Sequence, residues 1–479
     1  MEVPSDADSR AGEATSLKKT DLREQVREAI RGLEGLLESS EPVGDPQQLE
    51  TLEANIVRQT DRVAGLIIGV HVQAAVDDPQ TSEHSKQLVR DHPRRFKSEG
   101  SRTVEIHPAR GQPVVISVCY YRRRKAGRKK KRHKGLYPAL ILLGIHERRT
   151  PAAGSEIALL AAAMASLKEA AHMLGQQGRA VDVKTIRSIS YRYAQRARAA
   201  IEAQSCALPE TAAGRRVAVS LDGGRIRIRT DKPGPHTPKG RKRYHTKWRE
   251  PKLLHIWTLD PQGRIDRSFL PVIDGTLRGP EEILMLVRYY LRELDVQEAA
   301  AVLFIADGAH WIWKRFERLI LEFSLNPSNV FQFLDFFHAV EHLTALASLR
   351  TGWSTAYRRQ WVCKQRRLLK QGRVDDLIAA IQSACSGRNG KQINAEKRYF
   401  IRNRHRLKYN IARRQRLPMG SGPMESAIRR VVNLRLKGAG IFWHEDNADA
   451  MLLLRSYYKA GRWKTLAVLA NSAPIEAFG

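Results

Sequence analysis

The chain has 479 residues, with 82 Lys and Arg against 50 Asp and Glu, a formal net charge of +32 and a pI near 10.3. That length holds two to four domains with sizeable cores, and self-repulsion of this size opposes compaction unless a polyanion is bound, so nucleic acid is the expected partner. No apolar run approaches the roughly 20 residues that span a bilayer, the acidic start (Glu2, Asp6, Asp8) is no secretory leader, and Cys119, Cys206, Cys363 and Cys385 form no CxxC pair; membrane, secreted and zinc-ribbon classes are thereby disfavoured, and a soluble protein of a reducing, cytoplasmic and nucleoid-associated setting is expected.

Residues 1–20 are polar without an apolar period and read as a disordered tail. The next region, 21–98, carries two helical patterns, about Asp21 to Leu37 and about Pro46 to Val76, as a packed hairpin or a dimerisation arm. From 99 to 150 the period is strand-like, in Thr103–Ile106 and Pro113–Tyr121. A basic run follows, and ten of the thirteen residues from Arg122 to Lys134 are Lys or Arg. Arg122, Arg123, Arg124, Lys125, Arg128, Lys129, Lys130, Lys131 and Arg132 are the expected phosphate contacts, since that density exceeds an ordinary solvated loop.

Residues 151–210 read as two helices, Ser155 to Leu174 and Asp182 to Ala203, around Gly175-Gln-Gln-Gly178. Lys184, Arg187, Ser190, Tyr191 and Arg192 on the second helix fit either a helix-turn-helix reader or plain packing. From Val217 onward the pattern is β-β-β-α-β-α: strands at Val217–Asp222, Arg225–Arg229 and Leu253–Asp260, a helix from about Pro280 to Leu294, and a strand ending at Asp307. This predicts an α/β domain with a mixed sheet. A basic loop with Lys239, Arg241, Lys242 and Arg243 lies inside it. After His342 the chain is helical and basic up to Gln415, and Leu417-Pro-Met-Gly-Ser-Gly422-Pro then opens a helix with Glu425 in its first turn.

The chemistry-bearing residues cluster around Val302–His342, where two short apolar runs end at carboxylates, Asp307 and Asp335. Alone, Asp307-Gly308 reads as a turn and Glu425 as a helix-terminal charge. Together, Asp222, Asp307 and Glu425 each border a glycine-bearing break at the end of a regular element. Carboxylates gathered at a sheet edge need cations among them, and hard oxygen donors select Mg²⁺ or Mn²⁺. Two such ions stabilise the attacking and leaving oxygens in displacement at phosphorus.

The motifs Ser-Leu-Asp222-Gly-Gly, Ile-Ala-Asp307-Gly-Ala-His-Trp-Ile, Asp335-Phe-Phe-His338 and Gly-Ser-Gly-Pro-Met-Glu425-Ser resemble those of bacterial insertion-sequence transposases of the DDE class, in particular Kra-type and Lre-type elements. The resemblance covers about Val217 to Trp463, and loosely the N-terminal half. It implies an RNase H-like catalytic domain at 215–465 with a helical insertion at about 345–415. It also implies Asp222, Asp307 and Glu425 as the ligands of two Mg²⁺ or Mn²⁺ ions, and Asp335 and His338 as an accessory motif beside them. The expected partner is double-stranded DNA, transposon ends and target, bound by a homodimer or higher assembly. Some relatives carry a cysteine-rich zinc module; no CxxC is present here, so no zinc is expected.

Two other readings compete. His338-Ala-Val-Glu341-His342 matches an inverted zinc-peptidase motif, but explains neither the acid triad nor the charge. A DNA-binding protein with an inactive RNase H-like domain is the other. Among the tryptophans, Trp311 and Trp313 read as core, Trp443 as either core or a stacking surface for unpaired bases, and Trp353 and Trp361 as candidates to face DNA.

The basic run yields a first test. Replacing Lys129, Lys130, Lys131 and Arg132 with Ala should weaken binding to any duplex and lower the log–log salt slope by about 0.9 per lost phosphate contact. Titration at several salt concentrations measures it, and an unchanged slope makes the run a solvated bystander.

Overall fold

The computed structural model describes residues 22–38, 42–123, 135–205, 207–238, 240–388 and 390–473. The expected tail at 1–20, most of the basic run (Arg124, Lys125, Arg128 to Arg132), Lys239 and Cys206 lie outside the described residues. The chain divides into two units between Glu156 and Ile157.

The first unit holds α1 (Leu22–Glu38), α2 (Pro46–Asp77), α3 (Pro79–Asp91), β1 (Phe96–Ile106), β2 (Val114–Arg123) and α4 (Pro138–Leu142). Helix α2 starts where Asp45 accepts a hydrogen bond from the Gln48 amide and Pro46 fills the first position. Asp78 does the same for Thr81, so Asp78-Pro79 ends α2 and opens α3, a helix that the periodicity did not foretell. Strands β1 and β2 form an antiparallel ribbon with a register shift between Ser98 and Ser101. Val104, Ile106, Val114, Ile116 and Val118 face one side and form a small core with Ala139, Leu140 and Ile145.

The boundary falls inside α5 (Pro151–Ala163), and the second unit continues with α6 (Leu167–Gln176) and α7 (Val183–Glu202). The single helix expected from Ser155 to Leu174 is in fact two. Ser166 caps α6 by accepting from the Glu169 amide at 3.1 Å, while the Glu169 carboxylate reaches back to the Ala165 amide at 3.2 Å. In the DNA-reading region expected at 151–210, one face of α7 is packed. Ile189, Ser190, Tyr193, Ala194, Ala197, Ala200 and Ile201 of α7 are buried, most of them in the main core of the second unit. Ser190 and Tyr191 thus face packing; Lys184 and Arg187 remain on the exposed N-terminal turns.

The central sheet of this unit is built from β3 (Arg216–Gly223), β6 (Lys252–Leu259), β7 (Val272–Thr276), β8 (Ala301–Ala306) and β9 (Val330–Leu334), in the order β7-β6-β3-β8-β9. Pairs β3/β6 and β6/β7 are antiparallel, whereas β3/β8 and β8/β9 are parallel. Helices α8 (Pro280–Glu293) and α9 (His310–Glu322) make the crossovers into β8 and β9. The fold is therefore α/β with a mixed sheet. One expected strand is not part of that sheet: β4 (Ile226–Asp231) pairs only with β5 (Tyr244–Arg249) in a hairpin of its own. Its buried Ile226 and Ile228 cover a second cluster with Leu253, Met424, Val431 and Trp443, so its alternation serves a different core.

After β9 come α10 (Phe336–Ser348), α11 (Thr355–Gln371), α12 (Val374–Cys385), α13 (Lys391–Arg402) and α14 (Tyr409–Arg414), the expected all-helical stretch. Its buried residues, among them Trp361, Leu369, Ile381, Phe400 and Tyr409, belong to the same core as the sheet, so it does not bulge out as a separate body. Then follow α15 (Gly422–Ile428), a π-helical turn at Arg429–Asn433, α16 (Glu445–Ala460) and α17 (Trp463–Asn471).

Helix α7 is tied to the sheet by a buried polar network. Arg198 donates to both carboxylate oxygens of Asp274 at 2.8 Å and to the Gly275 carbonyl at 3.0 Å. Tyr290 donates to Asp274 at 2.7 Å and lies 2.8 Å from the Tyr457 hydroxyl. Asp274→Ala leaves the Arg198 charge buried without its partner and should cost roughly 3–5 kcal/mol. The measurement is the denaturant midpoint at constant m, with the double change Arg198→Met, Asp274→Leu recovering much of the loss.

Candidate metal centre

The sheet brings three aspartates to one edge. The parallel ladders pair Val219 with Phe304 and Ala306 with Leu334. Asp222 is the penultimate residue of β3, and Asp307 and Asp335 directly follow β8 and β9, where the Asp335 amide donates to the Ala306 carbonyl at 2.8 Å. All three stand at the same C-terminal edge of adjacent parallel strands, the edge where α/β proteins place ligands, and the charge of Asp307 reaches Asp222.

The three are held differently. Asp222 Oδ1 accepts from the Gly223 amide at 2.6 Å and Asp307 Oδ1 from the Ala309 amide at 2.9 Å, leaving the second oxygen of each for other partners. Burial pushes the Asp222 carboxyl up to about 6 against the opposing Gly223 amide, and the charges of Asp307 and Glu250 add to the rise. Asp335 is fully buried. Its Oδ1 accepts from the Phe337 and His338 amides at 2.7 and 3.0 Å, capping α10, and its Oδ2 accepts from the Ser421 amide and hydroxyl, both at 2.5 Å. Burial opposes its ionisation, but His338 and Ser421 outweigh that and hold it near 2.

Glu425 reaches this edge through the same clamp. The Phe336 amide donates to the Met419 carbonyl at 2.9 Å, and Asp335 grips Ser421, so α15 starts beside α10 although 86 residues separate Asp335 from Ser421. Asp335, His338 and Glu425 each place a potential ligand atom within 4.8 Å of the other two, the one such group among the described residues. Asp335 already accepts two donors on each oxygen, and the His338 imidazole, 3.5 Å from Asp335 Oδ1, is raised to about 9 by that carboxylate with help from Glu341 and Asp307. Without a metal the group favours carboxylate, imidazolium, carboxylate.

The expected triad is thus only partly assembled as drawn. Asp222 and Asp307 share an edge and interact, and Glu425 stands at His338, whose charge both aspartates feel. The three carboxylates do not form a group of their own within 4.8 Å among the described residues. Asp222 and Asp307 each accept from a backbone amide, and His338 sits among the acids. The hard oxygen donors of the three carboxylates are of the kind that fits Mg²⁺ or Mn²⁺.

The rival zinc motif is weakened. His342 Nδ1 lies 2.6 Å from Glu396 and its ring stacks on Tyr399 at 3.6 Å, so this imidazole is already engaged. One tryptophan expectation is also corrected. Trp443 is only 9 % exposed and donates to the Leu436 carbonyl at 3.1 Å, so it is core rather than a base-stacking surface. Trp361 is buried, and Trp353, half-buried, packs on it with 5.4 Å between ring centres. Trp313 is core as expected, donating to the Asp307 carbonyl. Arg122 and Arg123 end β2, and Arg241, Lys242 and Arg243 are exposed at the β4–β5 turn, with Lys242 ion-paired to Asp231 at 3.1 Å.

Sequence reasoning missed what the helical stretch after β9 contributes. Helix α13 lays Tyr399 against Gly308, where a Cβ would come within 2.1 Å of the ring, and Arg402 donates to the Gly308 carbonyl at 2.9 Å. No local pattern marks these residues; Glu250 and Trp248, flanking Asp222, at least stand in a conspicuously basic, aromatic stretch. Comparison with models of known families, with curated proteins and with solved structures finds no match.

The raised Asp222 has a stability consequence. A carboxyl whose folded value exceeds its ordinary 3.8 destabilises the fold once ionised, so the penalty is absent at low pH, grows between about 4 and 6, and is complete above. Asp222→Asn should therefore stabilise the protein at pH 8 by up to about 3 kcal/mol, at roughly 1.36 kcal/mol per pH unit, with the gain shrinking toward pH 4. Mg²⁺ should stabilise the unmodified chain more than the variant. Thermal unfolding across pH, with and without Mg²⁺, reads both.

Proposed function

We propose that the chain is a DDE transposase of a bacterial insertion sequence, which binds the ends of its element and catalyses metal-dependent DNA strand cleavage and strand transfer. The observation that carries this reading is Asp222 at the end of β3 and Asp307 just past the adjacent parallel β8, with Glu425 beside Asp335 and His338 at the same edge. The mixed five-stranded sheet, followed by an all-helical stretch between Asp335 and Glu425, suits an RNase H-like core with a helical insertion. The net charge of +32 suits a phosphodiester backbone.

In this reading Asp222, Asp307 and Glu425 hold two divalent cations, which when bound stabilise charge on the attacking and leaving oxygens. Asp335 and Ser421 fix the approach of α15, and His338 neutralises the acidic edge. Tyr399 and Arg402 brace the Asp307-Gly308 turn. Exposed Lys184, Arg187, Arg241 and Lys242 supply phosphate contacts, and a substrate with two ends calls for a homodimer or larger assembly.

Asp222→Asn, Asp307→Asn and Glu425→Gln each remove a ligand oxygen at nearly constant size. Each should lower Mg²⁺-dependent cleavage and joining of the DNA that flanks the reading frame by about 10²-fold or more, while leaving duplex binding intact. Near-normal cleavage by any one variant removes that residue from the triad. A zinc peptidase would ignore all three and depend on His338, Glu341 and His342.

A further inference from the structure

The β4–β5 hairpin leaves the sheet immediately after Asp222 and re-enters at Lys252, which pairs with Gly223. From Arg225 to Arg249 the sequence has ten Lys or Arg and a single acid, Asp231. One face of β4 is anchored by Ile226 and Ile228 in the core. The outer edge is anchored too: the Arg229 amide donates to the Trp443 carbonyl at 2.8 Å and the Trp443 amide to the Arg227 carbonyl at 3.1 Å. The hairpin is therefore a braced platform, and the residues from Tyr244 to Trp248 stand exposed on it.

Trp248 pairs with Arg227 and so stands on the face of the hairpin opposite Ile226 and Ile228, where it is 52 % exposed. Arg225 and Arg227 hold their guanidinium carbons 5.5 and 5.8 Å from its ring centre. With Asp222, Gly223, Gly224, Arg225, Arg249 and Glu250 it lines an open cleft of about 450 Å³. A flat aromatic face flanked by guanidinium groups, on a rigid support beside a phosphoryl-transfer carboxylate, fits a base that has left the helical stack; paired bases in a duplex hide their faces from such a side chain.

We propose that Trp248 is the stacking platform for an unpaired nucleobase of the DNA strand presented to Asp222, with Arg225 holding the adjoining phosphate, while Arg227, which donates to the Gly438 carbonyl and lies 4.5 Å from the Phe442 ring centre, braces the platform. This rests on the proposed function for the identity of the strand, but its binding test needs no catalysis. The probe is a short single-stranded oligodeoxynucleotide carrying 2-aminopurine, compared with the blunt duplex of the same sequence, on the full chain in EDTA. Trp248→Ala should weaken the single strand about 5- to 100-fold and abolish the 2-aminopurine fluorescence change, with duplex affinity altered less than about twofold. Trp248→Phe should restore most of both, which also controls for folding. Equal losses on single strand and duplex, no loss at all, or a Phe variant as defective as Ala would overturn the proposal, as would tighter binding of the matching oligoribonucleotide. If instead the stacking is confirmed and cleavage is never seen, the transposase reading fails alone.

Discussion

The buried carboxylate of Asp335 is the interaction on which the candidate site depends. It caps α10 with one oxygen and holds Ser421 with the other. A helical stretch enters and leaves the sheet edge at that single side chain. Without it Glu425, 118 residues beyond Asp307 in the chain, has no fixed place beside the aspartates. Both oxygens are used, so Asp335 acts on the acidic edge by positioning and by charging His338.

The electrostatics of the remaining carboxylates are what would make them useful. Asp222 is raised because it is buried near Asp307 and Glu250, the condition in which a cation gains most by binding. His338 offsets part of that charge, and helix α13 closes the turn after Asp307 with Tyr399 and Arg402. The helical stretch after β9 is thus a wall of the candidate site. Its apolar residues merge with the core of the sheet, which explains how helices so rich in Lys and Arg stay folded against it.

Much of this was legible in the chain. Short apolar runs ending at Asp222, Asp307 and Asp335 marked the three parallel strands, because a buried strand flanked by helices reads as a continuous apolar run. Asp182 and Asp335 announce helix starts by their side chains, whereas the capping pair Ser166 and Glu169 lies inside a continuous apolar period that hides the break between two helices. Other features depend on partners distant in sequence. Arg225-Ile-Arg-Ile-Arg229 alternates in the same way whichever core its isoleucines cover, so its departure from the sheet could not be seen. Trp443 and Trp248 differ in burial because Trp443 meets Ile226, Ile228 and Met451 while Trp248 meets none of them. Tyr399 touches Gly308 across 91 residues of chain, and no local pattern encodes that contact.

The measurement that bears most directly on the central claim is anomalous diffraction from crystals grown with Mn²⁺ and a DNA end. Manganese held by Asp222 and Asp307, with Glu425 turned from His338 toward it, is the predicted result. Manganese seated on Asp335 and His338 with Asp222 unengaged, or no manganese at this edge at all, would contradict it.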